Sequence, residues 1–171
     1  WEYTVTEANV PQGFTSQSTG ETGVVSGGVT TTASFVNTYK VTSATLDGSV
    51  CLTGTKAIDG RNWLDTDEFE FSIHPASISP EGTPTPQNAK VTVKGSDVAD
   101  KTGAASFSFG DIVYTKPGTY TYLIREDATA AADIPGITRS QAQYLVTVKV
   151  TDNGQGALEA SSQITQLFDD A

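Results

Sequence analysis

Apolar and polar residues alternate with a period of two along most of the chain, and this pattern predicts strands rather than helices. The stretch Gly118 to Glu126, GTYTYLIRE, is the most informative. Tyr120, Tyr122 and Ile124 share one face, and the next residue in phase is Glu126. Trp1 to Glu7, WEYTVTE, repeats the pattern, with Trp1, Tyr3, Val5 and Glu7 in phase. A lone glutamate in that position would mark a strand running out into water. Two of them point elsewhere, because a carboxylate on the core side is protonated, paired or chemically employed.

Further strands follow in order. After a turn over 8–14 and a weak, Gly-rich stretch over 15–28, Thr31 to Tyr39 places Ala33, Phe35, Asn37 and Tyr39 on one face. Residues 40–48 read as a linker. Val50, Leu52, Gly54, Lys56 and Ile58 are then in phase, which puts the Lys56 amine on an apolar face; it either snorkels to water or is a buried amine kept neutral by desolvation. A turn over 59–65 leads to a strand with Phe69, Phe71 and Ile73 inward. Residues 74–89 hold four of the seven prolines and read as an exposed loop, with His74 at the surface. Short strands are expected at Lys90 to Lys94, around Phe107, and at Ile112 to Tyr114. Residues 127–136 form an Ala-rich loop. Tyr144, Val146, Val148 and Val150 give the longest alternation; the turn DNGQG over 152–156 and a return strand over 157–164 follow, and 166–171 ends without a strand. Seven or eight strands from Val50 onward, with no convincing helix, imply an all-β, Ig-like antiparallel sandwich.

Composition agrees with this reading: Thr, Ser, Gly, Val and Tyr are abundant and Met is absent. The net charge of -10 disfavours nucleic acid or an anionic membrane as a partner. Cys51 is the only cysteine, so no disulfide forms within the chain. Neither a leader peptide nor a spanning apolar run is visible, and a start directly on a strand suggests a piece of a longer exported protein. Nothing implies a cofactor. Asp65, Asp67 and Glu68 lack the spacing of a calcium loop and read as a solvated turn, and a hydrolase would need a convergent triad or carboxylate pair that one histidine beside a proline does not offer.

A lysine, a glutamate and an asparagine on apolar faces suggest a particular reaction. The neutral amine attacks the asparagine side-chain carbonyl, the glutamic acid polarises that carbonyl and shuttles the proton, and ammonia leaves. The product is an isopeptide bond made once.

The runs TKAIDGRNWLDTDEFEFSI (55–73), AASFSFGDIVYTKPGTYTYLIRE (104–126) and YLVTVKVTDNGQGAL (144–158) resemble the streptococcal-type pilin isopeptide-linkage repeat over about 45–171. That resemblance implies Lys56 as the linking lysine and Glu126 as the catalytic glutamate. WEYTVTEANVPQGFTSQ and SFVNTYK look like the closing part of a Cna-B-like domain or of another pilin repeat. Glu7 and Asn37 then match its catalytic glutamate and linking asparagine, with its lysine strand upstream of Trp1. The implied organisation is a closing β segment over 1–40, a linker over 41–48, and a pilin-type sandwich over 49–171 without its final strand. Asn62, Asn88 and Asn153 fall in or near turns, so Lys56 lacks its expected partner. The acceptor is then a downstream asparagine, Asn37 in a permuted arrangement, Asn37 of a neighbouring molecule, or Asp169 or Asp170 as a substitute.

These features imply a structural stalk or shaft segment of a pilin or adhesin on a Gram-positive cell wall, extracellular, self-cross-linking and not an enzyme in the turnover sense. Its expected partners are neighbouring domains or pilin subunits. The alternative is an adhesin module that contacts a host surface component through residues 74–89 or 127–139, although neither loop carries an exposed aromatic residue. Lys40, Lys90, Lys94, Lys101, Lys116 and Lys149 are equal candidates for sortase linkage.

Overall fold

The computed structural model describes residues 1–127 and 134–168. The chain runs β1 (Glu2–Thr4), β2 (Phe14–Thr19), β3 (Thr22–Val24), β4 (Ser34–Tyr39), β5 (Ala44–Leu46), α1 (Gly48–Cys51), β6 (Thr53–Lys56), β7 (Glu68–Pro75), β8 (Lys90–Lys94), β9 (Ala105–Ser108), β10 (Ile112–Tyr114), β11 (Gly118–Glu126), β12 (Gln143–Asp152) and β13 (Leu158–Phe168). Every strand pair is antiparallel. One sheet has the order β13-β12-β11-β7-β8, and the pairs β10-β5 and β6-β9 supply the second layer. The two layers share a core that joins Phe69, Phe71 and Ile73 of β7, Tyr122 of β11 and Val146, Val148 and Val150 of β12 to Leu46, Leu52, Phe109, Ile112 and Tyr114. Fully burying each such side chain is worth about 1.5–3 kcal/mol, which is why the period of two survives as a fold.

Register explains how the inward faces stack. Tyr122 lies opposite Val146, and Ile124 opposite Ile73. The hydroxyls of Tyr114 and Tyr122 lie 3.0 Å apart in the core, and Tyr122 donates to the carbonyl of Pro84 at 2.8 Å. Burial pushes the Tyr122 phenol up to about 12. The proline-rich loop is therefore tied to β11 instead of hanging free, and Ala76 N–H also bonds the Thr121 carbonyl at 2.9 Å.

Several local expectations change in three dimensions. The linker over 40–48 contains β5, whose Ala44 and Leu46 are buried against β10. The strand expected from Val50 is a short helix capped by Asp47, and β6 begins only at Thr53. His74 and Pro75 extend β7 and are half-buried, because Leu123 and Tyr122 of β11 pair with them. β13 runs on through Gln166 to Phe168, where the chain was expected to end without a strand, since β12 supplies a full-length partner. Asp67 is no solvated turn residue: it is buried and takes two bonds from Arg61, at 2.7 and 2.8 Å, and one from the Leu64 N–H at 2.8 Å. The Arg61 guanidinium holds its carboxyl below the usual range.

The first 40 residues form two ribbons, β1-β3 and β2-β4, and none of these residues is buried. They meet the sandwich at the β12-β13 turn. Tyr39 donates its hydroxyl to Asp152 at 2.7 Å and accepts the Gly156 N–H at 3.1 Å. Gly13 and Gly156 both have positive φ and approach so closely that a Cβ on Gly13 would sit 2.7 Å from the Gly156 nitrogen.

Candidate functional site

Glu126 ends β11 in the phase of Tyr120, Tyr122 and Ile124, and its side chain is 1% exposed. Lys56 ends β6, in the facing layer, and its side chain is 12% exposed. The two ends converge: Lys56 Nζ donates to Glu126 Oε2 at 2.8 Å. The amine also lies 4.4 Å from the centroid of the Phe69 ring. A cation on the face of an aromatic ring beside a carboxylate is stabilised by both, which offsets part of the desolvation of a buried pair.

The other Glu126 oxygen belongs to Arg139, which no pattern in the sequence singled out. Arg139 Nη1 donates to Oε1 at 3.2 Å, and its guanidinium carbon lies 5.4 Å from the same Phe69 ring. One buried carboxylate therefore bridges two cations over one ring. The available signal was weak: Arg139 follows Ile137, which packs against the core, in a segment that the loop composition assigned to the surface. A single arginine in a loop has no periodicity to betray it.

Beside this pair runs an open groove of about 480 Å³. Its floor is aromatic and aliphatic, with Phe71, Phe107, Phe109 and Ile124, and Lys56 and Glu126 lie within its lining. Phe71 and Phe107 stack at 4.1 Å. Gly54 lets this happen, since a Cβ there would sit 2.5 Å from the Phe107 ring. Such a volume would hold a small molecule as readily as a peptide. The backbone argues for a peptide: β6 pairs only with β9 among the described residues, so its other edge offers free N–H and C=O groups along the groove.

Glu7 and Asn37 form a second, separate constellation. Asn37 of β4 and Ser16 of β2 stand opposite each other, and each donates to Glu7 at 2.6 Å. The Ser16 hydroxyl, followed by the Asn37 amide, holds the Glu7 carboxyl below its ordinary value. Here the surroundings are solvent: Asn37 is exposed and Glu7 half-buried. The structure thus brings Lys56 to Glu126 and Asn37 to Glu7, and it leaves Asn37 paired away from Lys56. Asn62, Asn88 and Asn153 are absent from the lining of the groove, and Asp169 and Asp170 lie outside the described residues. Three or more potential metal ligands nowhere cluster among the described residues.

An amine 2.8 Å from a carboxylate is placed to pass it a proton, and an amine so relieved is a nucleophile. Comparison with known proteins bears on this chemistry. The family model described as FctA, a Spy0128-like isopeptide containing domain, matches residues 52–171. Lys56, Glu126 and Arg139 lie inside the matched region, and Glu7 and Asn37 lie before it. No curated protein matches the chain.

Proposed function

The chain belongs to the family of Spy0128-like isopeptide-containing domains, and from that premise we propose that it is a structural shaft segment of a Gram-positive surface pilin or adhesin, locked by a bond from Lys56 to an asparagine. The acceptor arrives on a strand that adds to the free edge of β6. Glu126 takes a proton from the Lys56 ammonium, and the freed amine attacks Cγ of the asparagine. The Nζ–Cγ bond forms as the Cγ–Nδ2 bond breaks; Glu126 passes its proton to the departing nitrogen, which leaves as ammonia, and takes up the second proton that Nζ sheds as it becomes an amide. The reaction happens once per site, so it serves the fold rather than a substrate stream.

The observation that carries this reading is the buried Lys56–Glu126 contact of 2.8 Å at the side of an apolar groove with an unpaired strand edge. Residues 1–40 support a tandem arrangement. None of their residues is fully buried, and their Glu7 and Asn37 are the glutamate and asparagine of a like site whose lysine comes from another strand. A covalent tie between the first and last strands of a sandwich limits the unfolded chain and slows unfolding under load, which suits a stalk exposed to tension and proteases.

The test supplies an acceptor strand. A synthetic peptide with the sequence of residues 31–40, TTASFVNTYK, carries Asn37 in phase with Ala33, Phe35 and Tyr39. Incubated with the chain, it should give an adduct whose intact mass is the sum of the two less one ammonia, with the cross-link mapped to Lys56. Lys56→Ala and Glu126→Ala should give none. A wild-type chain that never forms the adduct sinks the proposal.

A further inference from the structure

We propose that Arg139 is a catalytic residue of this same site, donating from its free Nη2 to the carbonyl oxygen of the incoming asparagine while its Nη1 holds Glu126. The inference rests on the isopeptide reading of the site. It starts from an imbalance in hydrogen bonding. Arg139 is about nine-tenths buried, with a side chain 10% exposed, and Nη1 has its carboxylate, but Nη2 is buried with no partner among the described residues. A guanidinium keeps all its N–H groups at every relevant pH, so an unmet donor of this kind is costly. Buried donors in native proteins nearly always find an acceptor. Among the described residues none is offered, and the proposed reaction brings one.

The position suits the role. Attack of Lys56 Nζ on Cγ turns the asparagine carbonyl oxygen into an oxyanion. That atom must lie within a bond or two of Nζ, which is itself 2.8 Å from Glu126 Oε2, while Arg139 grips Oε1 of the same carboxylate. Lys56 and Arg139 both lie against the Phe69 ring, at 4.4 and 5.4 Å from its centroid, so the nucleophile and the guanidinium are held near one buried side chain. Ser140, the next residue in the chain, lines the groove. A fixed cationic donor held by a buried carboxylate is worth most where negative charge develops, and loss of one oxyanion donor typically slows a reaction by about 100-fold to 1,000-fold. Proton and leaving group follow the route already given; Arg139 gives and takes no proton.

The experiment follows adduct formation with peptide 31–40 by intact mass, over time, for the wild type, Glu126→Ala and Arg139→Ala. Near-ultraviolet circular dichroism of each protein reports whether the core around Trp63 is intact. Arg139→Ala should slow the reaction by about 100-fold. Millimolar guanidinium should restore much of that rate, and sodium chloride at the same ionic strength should not. A residue that merely props up the fold has no reason to respond to free guanidinium. If Arg139→Ala reacts within twofold of wild type, or is slowed with no rescue by guanidinium, the catalytic role is overturned while the isopeptide reading stands. A wild type that forms no adduct overturns both.

Discussion

Two glutamates in this chain each take hydrogen bonds from two side chains, with different partners and in opposite surroundings. Glu126 is buried, faces two cations and rests beside Phe69. Glu7 sits at the surface and takes bonds from two neutral donors, Ser16 and Asn37. Glu126 is paired with a lysine and Glu7 with an asparagine, and neither has both among the described residues. The difference lies in what stands behind them. From Ala44 onward the chain builds a shared core, whereas residues 1–40 bury no side chain. The first carboxylate is therefore compensated by charge inside a core, and the second by neutral hydrogen bonds near solvent.

Removing the Glu126 carboxylate should break the comparison most sharply. Glu126→Ala leaves Lys56 and Arg139 as neighbouring uncompensated charges, and the expected loss is about 3–5 kcal/mol in urea unfolding. Lys56→Met should cost much less, because Arg139 still neutralises Glu126 and the new side chain is apolar. Equal losses for the two variants would mean that the pair does not act as argued.

Asp67 sharpens the contrast as a buried carboxylate whose role is structural alone. Asp67→Asn should cost about 2 kcal/mol, below the full value for a buried pair because Arg61 is 28% exposed. Its carboxyl is lowered in the native state, so its contribution is complete above the unfolded value near pH ~4 and is lost as pH falls through the native value. Stability of the wild type measured from neutral pH downward should therefore fall more steeply than that of Asp67→Asn. Parallel curves would remove Asp67 as a source of acid lability.

Smaller effects are expected where the two regions meet. Tyr39→Phe deletes the bonds to Asp152 and Gly156 and should destabilise less than either substitution at Glu126 or Asp67. The sensitive readout is hydrogen exchange at the Gly156 amide, which should quicken while amides of β11 stay protected. Unchanged exchange would mean that the hydroxyl does not hold the junction. Least of all, Glu7→Gln should lower the unfolding transition slightly at neutral pH, since Ser16 and Asn37 hold a half-buried carboxyl below its ordinary value. An unchanged transition would mean that these bonds do not contribute to the folded state.

Much of the fold was legible from alternation. The inward residues of β7, β11 and β12 are those the period of two selects, and Glu126 emerged as the carboxylate on the core side because its phase is set by Tyr120, Tyr122 and Ile124. β5 was not legible, because ATL is too short to show a period, and its burial comes from pairing with Ile112 to Tyr114 of a distant strand. Asp67 was misplaced for a related reason: whether an acidic residue in a turn is solvated depends on an arginine folding back over it.

Phase along a strand is a local property, and it determined the faces that Lys56 and Glu126 take; it misled for Glu7, which lies beyond β1, because that strand stops at Thr4 and leaves Trp1 and Val5 exposed. Distance between strands is not local. Only the tertiary structure decided that Lys56 meets Glu126 and Asn37 meets Glu7, that Arg139 joins the first pair from a segment without periodicity, and that one edge of β6 is left open among the described residues. Side-chain direction follows from backbone geometry residue by residue, whereas the choice of neighbour follows from the packing of two layers that no single stretch of sequence contains.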